Sequence, residues 1–224
     1  MLMGVDKVDK EKRKYIKQQF EKEFKKEMKG RGYKFRNGCA FKRIDQDNFV
    51  YGGHIFVPMD ETGNFAFDWN IKKYSYDDIF WEIINMEKNS NEPDSLRAIG
   101  AFKASGIRIL DMKVKLEDNV EAFIKDLIVQ IEEATETFLN ETSVNEYVIS
   151  HEGFFDEKIL KVLAYIDMEM KDKALELAEK EVSNGNTGRF ENEGKGFFEW
   201  TCKKLGKRSS LVDLLKSKLK MLSS

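Results

Sequence analysis

Cysteine is scarce in this sequence: Cys39 and Cys202 are the only two, they stand far apart, and no Cys-x-x-Cys occurs. That excludes a disulfide framework and a cysteine zinc site, and it fits a reducing compartment. Histidine is equally rare, with His54 and His151 alone. Neither lies in a nucleophile motif, so acyl transfer by a hydrolytic triad lacks its base. His151-Glu152 also has no second histidine four residues on, so the helical zinc-hydrolase pattern is missing. Long apolar runs are absent, and the N-terminus passes from Val5 straight into Asp6 and Lys7. The sequence therefore predicts no membrane span and no leader segment, and a cytoplasmic location.

Phosphate and calcium loops are incomplete in the same way. Gly194-Lys195 sits in a glycine-rich stretch from Gly188 to Gly196, but the upstream glycine is one residue too far and Gly196 replaces the needed Ser or Thr. It reads as a flexible loop between helices. Asp60 to Asn64 starts like a calcium loop, yet its glycine is misplaced and no glutamate closes it, so it reads as a hairpin turn. No catalytic, cofactor-binding or metal-binding residue is assigned on these grounds, and no cofactor is expected.

What is present is material for a core. The chain has 224 residues, of which 41% are apolar and 12% aromatic, enough for one substantial domain carrying a helical appendage. Charge is uneven. Residues 1–36 carry 13 Lys or Arg against 6 Asp or Glu, whereas the rest carry 25 against 34. A basic head can attract nucleic acid or an acidic partner surface, although Lys and Glu mixed along one helix commonly make a solvated face.

Ile16, Phe20, Phe24 and Met28 recur every four residues and predict one long helix from Asp6 to Met28, stopped by Gly30 and Gly32. Its apolar stripe is narrow, which suits a helix lying across a sheet with frayed first turns. Tyr33 to Ile44 alternates aromatics with Lys and Arg around Asn37-Gly38 and predicts a hairpin. A two-residue Asn37-Gly38 loop would set Phe41 on the face of Lys34 and Arg36. A three-residue loop of Arg36, Asn37 and Gly38 instead collects Tyr33, Phe35, Cys39 and Phe41 on one apolar face, and it predicts a buried Cys39.

Further strands are expected over Phe49–Pro58, interrupted at Gly52-Gly53, and over Phe65–Lys73 and Gly106–Leu116, with the partner of the last one open. Ser75 is the expected N-cap of a helix reaching about Lys88, and Asp118–Asn140 has the strongest helical period. Beyond Thr142 the pattern is entirely helical: 144–149, 156–168, 171–182, 197–205 and 209–222. Ala164, Tyr165, Ala174 and Ala178 echo a tetratricopeptide pair, but one copy cannot make a solenoid, so an ordinary helical hairpin is expected.

Two constellations could carry chemistry. Pro93-Asp94 followed by Asp111-Met112-Lys113 resembles the acidic and Asp-x-Lys positions of metal-dependent nucleases, in which carboxylates hold magnesium, with Asp111 and Lys113 expected on one strand face. The same spacing recurs at Glu23 to Lys25, Glu27 to Lys29 and Asp156 to Lys158, as chance in a charged chain would have it. Arg31-Gly32-Tyr33-Lys34-Phe35 echoes the base-stacking strand of RNA-recognition domains, but Lys34 and Arg36 replace small and apolar residues and the element order differs. Aromatics packed under a helix are the simpler reading.

The helix ending near Gly32, then Gly32-Tyr33-Lys34-Phe35, Asn37-Gly38, Phe41 and Arg43, resembles an uncharacterised bacterial domain family that begins with a helix, Gly-Phe-Lys, Gly and Phe-x-Arg. The Phe65 to Ile71 strand looks like that family's second aromatic strand, so the resemblance spans residues 10 to 140; the glutamine expected in its third strand is absent from Phe49 to Phe56. It implies a helix-plus-meander fold in the bacterial cytosol and no reaction.

The expected architecture is α+β: an N-terminal helix, an antiparallel sheet of about five strands, packing helices and an all-helical C-terminal extension. The expected organisation is an α+β domain over 1–141 with a helical extension over 142–224 packed on it. The expected function is non-enzymatic binding of a protein partner, immunity-like in one version. The alternatives are a magnesium nuclease using Asp94, Asp111 and Lys113, or RNA binding through the basic hairpin.

Overall fold

The computed structural model describes residues 3–60, 63–116 and 119–206. It is α+β, as the sequence predicts: an N-terminal helix, a five-stranded antiparallel sheet and several helices. Helix α1 spans Met3–Gly30, and strands β1 Lys34–Arg36, β2 Cys39–Arg43, β3 Asn48–Asp60 and β4 Gly63–Lys73 follow as a meander. The chain then runs through α2 Ser75–Ile83, a 3₁₀ turn Glu87–Asn91 and α3 Ser95–Ile99 before returning as β5 Ile107–Val114. Helices α4 Val120–Glu141, α5 Val144–Ser150, α6 Glu157–Asp167 and α7 Lys171–Ser183 come next, and residues 197–206 form α8. The helix expected over 209–222 lies outside the described residues.

Two compact units emerge: residues 1–72 with 106–143, and residues 73–105 with 144–224. The expected linear boundary, 1–141 against 142–224, is not where they divide. The amphipathic α2 groups with the C-terminal helices, because its buried Tyr76, Phe80 and Trp81 belong to their core.

The first unit holds the sheet in the order β1-β2-β3-β4-β5, with β5 antiparallel to β4. All four stripe residues of α1, Ile16, Phe20, Phe24 and Met28, are buried, and each such burial stabilises by about 1.5–3 kcal/mol. Phe20 stacks on Phe24 at 5.2 Å and meets Phe65 at 4.7 Å; Phe24 reaches Phe67 at 5.8 Å. Strand alternation therefore puts Phe65, Phe67 and Trp69 on the helical side. On that side, α4 presents Phe123 to Phe65 at 5.3 Å, and its Thr135 Oγ1 accepts a hydrogen bond from the Trp69 indole at 3.1 Å.

The β1–β2 hairpin corrects the expected register. Arg36 faces Cys39, Phe35 faces Ala40 and Lys34 faces Phe41, so Asn37-Gly38 is a two-residue loop. Its φ angles of 49° and 76° are those of the primed turn that matches strand twist. A strand with one buried face would disfavour this turn. Cys39, Ala40 and Phe41 are all buried, so both faces of β2 are covered and Phe41 can share a face with the exposed Lys34 and Arg36 of the edge strand. Cys39 is buried as expected, but not for the expected reason.

In the second unit α2 is shorter than expected, and Ser75 is its first helical residue, not its N-cap. The Ser75 hydroxyl donates to Asp167 at 2.5 Å instead. Asn85, at φ 58°, ends the helix in the left-handed conformation that asparagine tolerates. The core stacks Phe80 on Phe197 at 5.4 Å and sets Phe190 edge-on at 4.7 Å. Ala164, Ala174 and Ala178 are fully buried in a plain helical hairpin of α6 and α7. Arg97, only 2% exposed, donates to Asp78 at 2.7 Å and to the Tyr74 carbonyl at 3.1 Å. Its guanidinium also lies 4.0 Å from the Tyr74 ring centre and 4.9 Å from that of Trp81.

Candidate functional site

The sheet has more edge than its strand order suggests. Strand β2 pairs with β3 only from Arg43↔Phe49 to Cys39↔Gly53, yet β3 continues to Asp60. Gly53 meets Cys39 at the tight turn, and β2 can follow no further. From Ile55 onward, among the described residues, no strand pairs with β3 on its β2 side, while β4 is its other neighbour in the sheet. His54 and Phe56 both contact Phe20 and Phe65 on the helical side, so the alternation is regular through this stretch. In a two-residue hairpin the closing pair Arg36 and Cys39 bond each other, which turns the N–H and C=O of Ala40 toward Gly52. The same alternation turns the N–H and C=O of Phe56 toward the open side of β3.

Side chains around this edge are apolar with a basic rim. Ile55 is 65% exposed, and Phe56 and Val57 are half-buried. Beside them a groove is lined by Ile16, Phe56, Val57 and Asn64 together with Arg13, Lys14 and Lys17 of α1. Asn64 is held by the Leu116 backbone, whose N–H donates to its Oδ1 at 2.8 Å.

His54 forms the floor behind the edge. Its side chain is 3% exposed, its Nδ1 is buried without a hydrogen-bond partner, and its Nε2 lies 3.8 Å from Glu21 Oε1. Burial lowers its pKa from the ordinary 6.5; Glu21 opposes this and Lys17 adds to it. The unfolded chain therefore takes up this proton first. The contribution to stability is complete above about pH 6.5 and is lost as pH falls from there through the folded-state value. A His54→Phe variant is expected to show a flatter dependence of urea midpoint on pH between roughly pH 7 and 5. An unchanged slope would assign the acid sensitivity elsewhere.

The residues singled out from sequence fall in two different compact units. Asp94 belongs to the second unit, where its carboxylate accepts from the Tyr74 hydroxyl at 2.9 Å. Asp111 and Lys113 share the exposed face of β5 in the first unit, and Asp111 pairs with Arg108 at 2.8 Å. Among the described residues no three His, Cys, Asp or Glu stand close enough to hold a metal ion. Trp69 is fully buried, Tyr33 packs edge-on against it at 5.6 Å, and Phe35 meets Phe24 at 6.1 Å. Tyr33 and Phe35 thus face the helix layer, while Lys34 and Arg36 are exposed on the other face.

His151 stacks on Tyr147 at 4.0 Å. Cys202 is half-buried, and burial raises its thiol pKa, away from the reactive thiolate. The stretch expected to be a flexible loop closes instead as a small turn, with Asn192 and Lys195 bonded backbone to backbone around Glu193 and Gly194. The turn at Asp60 to Asn64 lies partly outside the described residues. Among those residues no helix is long and apolar enough to cross a membrane.

The sequence reading missed the β3 edge. Its signal was a strand of unequal partners: β3 and β4 both outrun the short β1–β2 hairpin by several residues. No family model, no curated protein and no solved structure matches this chain.

Proposed function

We propose that this chain is a non-enzymatic, cytosolic binding protein of bacterial type, whose work is to hold a protein partner; an immunity-like, neutralising role is its most concrete version. The observation that carries this reading is the stretch of β3 beyond Gly53, which among the described residues has no strand on its β2 side, with Ile55 exposed upon it. An unpaired strand edge is a template for another polypeptide, and main-chain hydrogen bonds there supply affinity without any catalytic group. Natural sheets commonly guard such edges, and an exposed isoleucine leaves this one unguarded.

The test is copurification of the full chain from its native host with a partner at fixed stoichiometry. Ile55→Lys places a guarding charge on a side chain already in solvent, so the fold and its melting temperature should stay as they are. Partner affinity is expected to fall by about tenfold or more, the scale of losing one well-packed contact. Undiminished affinity in Ile55→Lys would remove the edge from the interface.

A further inference from the structure

We propose that His54 makes the seating of α1 on the sheet acid-sensitive: as pH falls the imidazole takes up a proton that its buried place cannot hold, and α1 lifts to let water reach it. The inference does not depend on the protein-binding reading above.

The ring lies between the helix and the sheet. It meets Phe20 at 4.6 Å and Phe24 at 6.2 Å on α1, Phe65 of β4 at 5.9 Å, and Phe56 of its own strand at 5.7 Å. The β1–β2 turn also packs on it, since a Cβ on Gly38 would lie 3.8 Å from the ring carbon Cε1. Within this aromatic box Nδ1 is buried and has no hydrogen-bond partner. A neutral imidazole leaves one polar atom unsatisfied there. A protonated one would leave a second N–H donor and a charge in the same dry place.

The charged groups that act on the ring among the described residues, Glu21 and Lys17, both come from α1. Glu21 Oε1 is 3.8 Å from Nε2, longer than a hydrogen bond, and the same oxygen lies 3.8 Å from Lys17 Nζ. This shared, half-exposed carboxylate does not offset the burial, so the folded protein holds the ring neutral. Strand β4 and the hairpin turn meet the ring with Phe65 and Gly38.

Helix α1 is the element able to move. Its backbone hydrogen bonds are internal, so it can leave the sheet without breaking a strand ladder, whereas freeing β3 or β4 would break several. One stripe of four residues, Ile16, Phe20, Phe24 and Met28, seats it. Its C-terminal end stays tethered, because Arg31 pairs with Glu132 of α4 at 3.1 Å, and Gly32 at φ 79° supplies a pivot beside that tether. In the lifted state the ring stands in water and regains its ordinary pKa of 6.5, so that state binds the proton more tightly. Its population therefore rises as pH falls below 6.5, by at most about tenfold per pH unit for one proton. Lifting uncovers Phe20, Phe24 and Phe65, an apolar surface that neutral pH keeps closed.

The test is amide hydrogen exchange of the full chain between about pH 7.5 and 5, each rate corrected for its intrinsic pH dependence. A helix without tertiary packing protects its amides poorly. The amides from Ile16 to Phe24 are therefore expected to accelerate by up to about tenfold per pH unit below 6.5, relative to those of β4 and α6. His54→Phe keeps an aromatic ring in the box and has no proton to take up, so it should abolish the acceleration. His54→Gln, polar but not titrating, should abolish it too, which separates proton uptake from any change in packing. Acceleration that persists in both variants would overturn the proposal. So would its absence in the original chain, or α1, β4 and α6 accelerating in step, which is global unfolding and not release of one helix.

Discussion

Gly52→Ala should destabilise the protein by about 3 kcal/mol or more, a large fraction of the roughly 5–15 kcal/mol that holds a domain folded. A Cβ at residue 52 would lie 2.2 Å from the Asp68 carbonyl oxygen and 2.3 Å from the Trp69 ring. Neither can retreat: the carbonyl belongs to the neighbouring strand, and Trp69 is fully buried and held by Thr135. The glycine serves close approach, because φ at this position is not in the left-handed region. Gly53→Ala is the control, since its Cβ would meet nothing nearer than the Gly38 carbonyl oxygen at 3.4 Å. Urea denaturation of both variants should separate them by about 2 kcal/mol or more. Equal losses would mean that the glycine pair acts through strand propensity and not through space.

Arg97→Leu is expected to cost about 3–5 kcal/mol, the range for breaking a buried charge pair by removing one partner. Asp77 is fully buried with a carboxylate oxygen 3.9 Å from the guanidinium, while its other oxygen accepts the Ala104 N–H at 2.9 Å. Removing Arg97 leaves that carboxylate's charge less compensated in a dry site. Arg97→Lys should recover little, because an ammonium can neither form the fork to Asp78 and the Tyr74 carbonyl nor stack flat on Tyr74 and Trp81. Near-ultraviolet circular dichroism during denaturation would follow the Trp81 environment directly. A Lys variant as stable as the original would show that charge alone matters there.

Much of the architecture was legible from residue order because local periodicity and core packing agree. The every-fourth-residue stripe of α1 is buried at each position, and the run of Val120, Ile124, Leu127, Ile128 and Ile131 makes α4 where the 3.6-residue period puts it. The strands of the meander appear between their turn residues for the same reason. Register was not legible in this way. Whether β2 is buried on one face or on both depends on what the rest of the chain supplies, and the face-matching rule fails where both are covered.

The scarcity of cysteine and histidine and the lack of a membrane-length run in the sequence set by themselves which chemistry is expected, and the apolar periods set the α+β order of elements. Only the tertiary structure decided that Asn37-Gly38 closes a two-residue turn, that Asp94 lies in a different compact unit from Asp111 and Lys113, and that β3 outruns its partner at Gly53. The physical reason is one of range. Burial periods are written in neighbouring residues, whereas an unpaired strand edge exists only by comparison with a strand elsewhere in the fold that ends too soon.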